Sequence, residues 1–103
     1  MARYCVRGVA VPAAGRLTRV TVGGRTLAVA VVDGRVRAVD DACTHLRGSL
    51  SVGVVEDGAV VCPRHLGRFD LVTGAACGGP PTAGLRTYPA TLVDGELCVE
   101  LPD

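Results

Sequence analysis

Every histidine of the chain lies beside a cysteine: Cys43-Thr44-His45 and, after sixteen intervening residues, Cys62-Pro63-Arg64-His65. Each segment offers one thiolate and one imidazole, ligand types that hold zinc or iron–sulfur centres. A hairpin-forming stretch, Val52–Val61, joins them and can bring the two loops face to face. Four ligands then converge. In a [2Fe–2S] cluster one iron can be held by two thiolates and the other by two neutral imidazoles. On this reading Cys43 and Cys62 hold the inner iron, and His45 and His65 the outer. A structural Cys2His2 zinc site draws on the same donors. Zinc modules more often use a Cys-x2-4-Cys knuckle, however, and a β domain of this size has its own core without the metal.

The elements that must position these loops are marked by turns. Gly23-Gly24, Asp33-Gly34, Asp57-Gly58 and Asp94-Gly95 each separate β-prone runs, as two-residue hairpin turns do. The runs are approximately 4–9, 16–22, 25–32, 35–40, 52–56, 59–62, 68–72, 85–88, 90–93 and 96–101. Several alternate, with Val20 and Val22 opposite Arg19 and Thr21, and Leu97, Val99 and Leu101 opposite Cys98 and Glu100. No window keeps an apolar face at helical spacing for three turns. The pattern predicts an all-β, antiparallel sandwich or partly closed barrel, with at most a short helical turn near Asp40–Thr44. The stretch Gly74–Gly84, with Gly78-Gly79-Pro80-Pro81, is expected to be irregular because prolines remove backbone donors.

At 103 residues the chain has room for one domain. Eleven basic residues face ten acids, a net charge of +1, which lacks the basic footprint of a nucleic-acid binder. The longest apolar run, Leu27–Val32, is too short to span a membrane. The N-terminus lacks the apolar core of a signal peptide, so a cytoplasmic location without membrane attachment is expected. Five cysteines, an odd number without a secretion signal, argue against a disulfide framework. Cys5 and Cys98 read as small hydrophobes in the terminal strands.

The Cys-x-His and Cys-x-x-His pair resembles Rieske-type [2Fe–2S] ferredoxins, and is most similar to the small ferredoxins of ring-hydroxylating dioxygenase systems. Ser49-Leu50-Ser51-x-Gly53, Gly67-Arg68-Phe69-x-x-x-Thr73-Gly74 and Pro80-Pro81 extend the likeness. Leu66 departs from it, since many Rieske proteins carry Gly directly after the second histidine. The resemblance implies one domain over residues 1–103, with a cluster-binding part at about 41–84 inserted in a base of strands from 3–40 and 85–101. It implies Cys43, His45, Cys62 and His65 as the cofactor ligands. It also implies a low potential, on the order of −150 mV: Gly48 and Arg64 stand where high-potential relatives have a loop-bridging disulfide, and Gly67 and Phe69 where they have hydroxyl donors.

The function so implied is one-electron transfer from an NAD(P)H-dependent flavin reductase to a terminal Rieske non-haem iron oxygenase. The small, transient contact would lie at a tip of Leu46, Arg47, Arg64 and Leu66 on a monomeric carrier. Arg68 adds to a locally positive tip, with Glu56 and Asp57 set away in the hairpin turn, unless these arginines are plain solvated loop residues or one turns inward to a carboxylate such as Asp70. The competing class is a Rieske-like small subunit of a larger reductase, such as assimilatory nitrite reductase. An enzyme acting alone is disfavoured, because both histidines are already used and no second site of two His and a carboxylate can be assembled.

Overall fold

The computed structural model describes residues 2–42, 49–63, 66–79 and 83–102. All regular structure is β except for one 3₁₀ turn, Leu50–Val52, among the described residues. Eleven strands form three antiparallel sheets. The terminal sheet joins β1 (Ala2–Val6), β11 (Glu96–Leu101) and β10 (Ala90–Val93) in that order. The central sheet runs β2 (Thr18–Val22), β3 (Arg25–Val32), β4 (Arg35–Asp40), β9 (Thr87–Tyr88). The third runs β5 (Val54–Glu56), β6 (Ala59–Val61), β7 (Arg68–Asp70), β8 (Ala76–Gly78).

The turn chemistry explains the hairpins. At Asp33-Gly34, Asp57-Gly58, Asp94-Gly95 and Gly23-Gly24 both central residues have φ between 50° and 78°. This is the double left-handed turn whose twist matches that of paired strands. Asp tolerates this region better than most residues and Gly enters it freely.

The unbroken apolar run in β3 has a specific cause. Leu27 and Val29 face one core with Val20, Val22, Ala38, Tyr88, Leu97, Val99 and Leu101. Ala28 and Ala30 face a second core with Val39, Leu50, Val60, Cys62, Phe69, Leu71 and Leu85. The central sheet is thus covered on both faces, so alternation disappears where burial is two-sided. Alanines on the second face leave room for the chain's one phenylalanine, which is fully buried there.

The structure corrects the sequence reading at four places. The segment from Gly74 to Gly84 holds a strand, β8, paired to β7 through a register shift between Arg68 and Phe69. A helical turn lies at Leu50–Val52, where none was expected, while in the stretch Asp40–Thr44 Asp40 ends β4 and residues 43–44 fall outside the described residues. The first strand ends at Val6 instead of running on to Val9. Finally, Cys5 and Cys98 are not free small hydrophobes. They are register partners on β1 and β11 with Cα atoms 4.1 Å apart, joined by a disulfide. The odd cysteine count concealed a pairing that only the apposition of the two terminal strands creates.

That disulfide links residues 93 apart in sequence, so nearly the whole chain lies within its loop. Cys5→Ser should therefore lower stability by about 2–4 kcal/mol in oxidising buffer. Thermal melts should show the variant below the wild type, with the gap closing once a strong reductant opens the wild-type bond. Equal melting temperatures in oxidising buffer would contradict a stabilising cross-link.

Candidate metal centre

Of the four candidate ligands only Cys62 is among the described residues; Cys43, His45 and His65 lie outside them. So do Leu46, Arg47, Gly48 and Arg64, and the prolines Pro80 and Pro81. What the structure does describe is the base from which each ligand loop rises.

The first loop leaves β4 and is pinched shut at its neck. Ala42 and Ser49 form an antiparallel bridge, and the Leu50 N–H donates to the Asp41 carbonyl at 2.7 Å. The second is closed in the same way, with the Cys62 N–H donating to the Gly67 carbonyl at 2.7 Å. Cys62 itself is fully buried in the second core, beside Val60 and Phe69 in its membership. Both loops therefore spring from paired backbone, which holds a loop's ends at a fixed separation.

The two necks touch. Gly53, which ends the 3₁₀ turn after the first loop, has its α-carbon so near the second loop's entry that a Cβ would lie 2.2 Å from the Val61 carbonyl oxygen and 3.3 Å from Pro63 Cδ. The Gly53 φ of −83° is open to any residue, so space alone demands glycine. On the other limb, a Cβ on Gly79 would lie 2.8 Å from Gly67 Cα and 2.9 Å from the Leu66 carbonyl. The strand leading into the proline segment thus presses on the second loop's exit. Leu66 is exposed and takes φ 55°. Its left-handed conformation is the physical reason glycine suits this position, and a leucine held there costs about 1–2 kcal/mol.

Electrostatics around the necks also differ from the sequence expectation. Of the two sequence readings of Arg68, free charge at the tip or pairing with a carboxylate, the structure shows pairing, with Glu56 and not Asp70 as partner and Nη1 3.0 Å from Oε1. The adjacency of β5, β6 and β7 brings that acid within reach. Asp70 takes no part in the pair. Its Oδ1 accepts from the Val72 and Thr73 N–H groups at 2.8 and 2.9 Å, and these donors hold its carboxyl below the usual carboxylate range. Tyr88 donates to Asp40 Oδ1 at 2.5 Å and accepts from Arg25 Nη1 at 3.2 Å. Burial, then the Asp40 carboxylate, push its phenol above the ordinary value.

A second grouping of ligand-type residues, Cys5, Glu96 and Cys98, is already occupied. The thiols are joined to each other, and the Glu96 carboxylate lies 3.4 Å from Arg7 Nε. Cys77 is exposed on β8.

Residues 2–89 match the family model of the Rieske [2Fe–2S] domain. The chain is 38% identical over 87 residues, 84% of each chain, to the ferredoxin component of the naphthalene 1,2-dioxygenase system of Pseudomonas putida. The structure superposes on Sphingomonas yanoikuyae B1 ferredoxin with a TM-score of 0.86 and 35% identity, over 98% of this chain and 100% of that one. It also matches a chain in the complex of reduced oxygenase and oxidised ferredoxin in carbazole 1,9a-dioxygenase. There the TM-score is 0.82 and the identity 33%, over 94% of this chain and 100% of that one. The chain belongs to the Rieske [2Fe–2S] family, among the ferredoxin components of aromatic ring-hydroxylating dioxygenase systems. The described residues fit the family's cluster: a buried cysteine heads one loop, and the closed necks of both loops abut.

Gly53→Ala should disturb this junction. The added methyl meets backbone that has no flexible end to move, at about 1–3 kcal/mol, and the two loops should be forced apart. The expected result is a lower melting temperature with reduced iron and sulfide content in the purified protein. Full cluster content in a stable variant would show that the necks need not touch.

Proposed function

We propose that this chain is a low-potential electron carrier. Cys43 and Cys62 hold one iron of its cluster, His45 and His65 the other, within a cluster-binding part of a single domain at about 41–84. The observation that carries this reading is the pair of abutting necks, each opening at once into a Cys-x-His or Cys-x-x-His segment. When bound, the cluster supplies one-electron redox chemistry. The chain's own part is to root one sulfur in a packed core at Cys62 and to keep loop spacing constant by main-chain bonds. Phe69, fully buried where high-potential relatives have a tyrosine, offers no hydroxyl donor, in keeping with a low potential.

The electron comes from an NAD(P)H-dependent flavin reductase and goes to a terminal Rieske non-haem iron oxygenase, with both partners docking at the tip of Leu46, Arg47, Arg64 and Leu66. That carbazole dioxygenase ferredoxin was captured with its oxygenase supports such a docking. The carrier works as a monomer in the cytoplasm. Among the described residues no helix is long and apolar enough to cross a membrane.

Purified protein should be brown, with two irons and two sulfides per chain, and on reduction should give the low-average-g EPR signal of mixed Cys/His ligation. His45→Ala and His65→Ala should each lose or convert that signal. A colourless protein carrying one zinc would overturn the ligand reading.

Because Arg68 is paired, steering by charge falls to Arg47 and Arg64. Stopped-flow transfer to an oxygenase should slow as ionic strength rises, since exposed charges are screened beyond about 10 Å at 0.1 M salt. Arg47→Glu and Arg64→Glu should slow it with the visible spectrum unchanged, while Arg68→Gln should have the smaller effect. Rates flat in salt and indifferent to both reversals would assign docking to the apolar Leu46 and Leu66.

A further inference from the structure

Asp41 is the one buried polar or charged residue among the described residues, 5% exposed, and it stands two positions before Cys43. A buried carboxylate is tolerated only when its oxygens are supplied with donors. Here the donors come from the far side of the first loop. The Ser49 hydroxyl donates to Oδ2 at 2.7 Å, and the Ser51 N–H donates to Oδ1 at 2.8 Å. With its proton committed to Asp41, Ser49 Oγ accepts from the Ser51 hydroxyl, 2.9 Å away. The main chain of Asp41 adds two further ties, its N–H donating to the Thr26 carbonyl of β3 and its carbonyl accepting from the Leu50 N–H. One residue thus grips both limbs of the loop and binds them to the central sheet.

Charge compensation is weaker than this hydrogen bonding. Among the described residues the ionic partner of Asp41 is Arg19, whose Nε lies 3.5 Å from Oδ2 and whose side chain is 65% exposed. An exposed arginine offsets little of a buried charge, because water screens it. Among the described residues the Asp41 carboxylate therefore stays weakly compensated, two positions before Cys43. Reduction adds an electron to the cluster, and a fixed negative charge nearby opposes that step.

We propose that Asp41 is a positioning residue of the cluster site: its carboxylate clamps the neck of the first loop, and its buried charge holds the reduction potential down. This rests on the assignment of Cys43 and His45 as ligands.

Three variants test it, each measured by iron content, EPR and midpoint potential in the holoprotein. Asp41→Asn keeps an acceptor for the Ser51 N–H and removes the charge, so cluster content and EPR signal should stay while the potential shifts upward. Arg19→Gln removes the compensating cation, so the potential should shift downward. Asp41→Ala removes the clamp as well, and should lose cluster or broaden the EPR signal, a defect that Asn rescues. Asp94→Asn, a charge deletion in the distant β10–β11 turn, should leave the potential unmoved. A merely structural residue would not give shifts of opposite sign from Asp41→Asn and Arg19→Gln. Potentials equal to wild type in both variants, or shifted in the same direction, would overturn the proposal even if Asp41→Ala failed to fold. A wild-type protein without the mixed-ligand EPR signal would instead overturn the ligand assignment, so the two failures are distinguishable.

Discussion

The central sheet is buried on both faces, and the position of the cluster loops follows from that. Leu27, Val29 and Ala38 pack toward the terminal sheet, while Ala28, Ala30 and Val39 pack toward the sheet that carries the second loop. Side chains on the second face are small or β-branched, which lets Phe69, Leu71 and Val60 come close. Cys62 belongs to that same core. A protein interior packed to crystal-like density deforms little, so the sulfur of Cys62, the proposed ligand, has a defined place in the core. The loop that follows inherits its origin from hydrophobic packing, not from the ligand.

From that base the chain separates two tasks. Necks closed by main-chain hydrogen bonds fix where the loops begin and end. The Ala42–Ser49 bridge and the Cys62-to-Gly67 bond each span a short segment whose side chains can then be chosen for ligation and contact. Glycine is spent where backbones must approach, at Gly53 against Val61 and at Gly79 against Gly67. A site held by packing, bridges and close backbone contact is preorganised, which suits a carrier that must exchange an electron without rearranging.

Much of this was legible in sequence because its causes are local. Asp-Gly and Gly-Gly pairs specify hairpins through their own φ preferences, and all four turns are found. The unbroken Leu27–Val32 run bore in sequence only on membrane spanning, and its cause, burial between two separate cores, needs the fold. What escaped depends on distant apposition. The Cys5–Cys98 bond needs β1 beside β11, which no property of either segment announces. The Arg68–Glu56 pair needs β7 brought next to the β5–β6 hairpin. Strand β8 was missed because Gly and Pro were read as breakers, yet a three-residue strand ending before the prolines loses no donor to them. No local property of the sequence marks Asp41. Its role lay in the spacing to Ser49 and Ser51, two hydroxyls at the loop's far limb, which takes meaning only once the neck is known to close.

The Arg68–Glu56 pair also bears on how a small carrier divides its charge. An arginine on β7 could have added to a positive tip, but at 33% exposure it lies partly against the sheet and is met by a carboxylate from the neighbouring hairpin. Pairing of this kind contributes little stability at a surface, so its effect is mainly on the local field, removing one unit from the side of the cluster sheet. Meanwhile Leu66 and Val52 are both about two-thirds exposed, at 67% and 68%, Leu66 just inside the second neck next to Gly67 and Val52 two residues past Leu50 of the first. On the proposed docking reading, a contact of two arginines and isolated apolar groups would be small, and small interfaces fall in the weak, transient class. For a protein that must leave each partner after one electron, weak binding is what the chemistry requires. The Arg68–Glu56 pair, by removing a positive charge beside the proposed contact, would favour release over tight association.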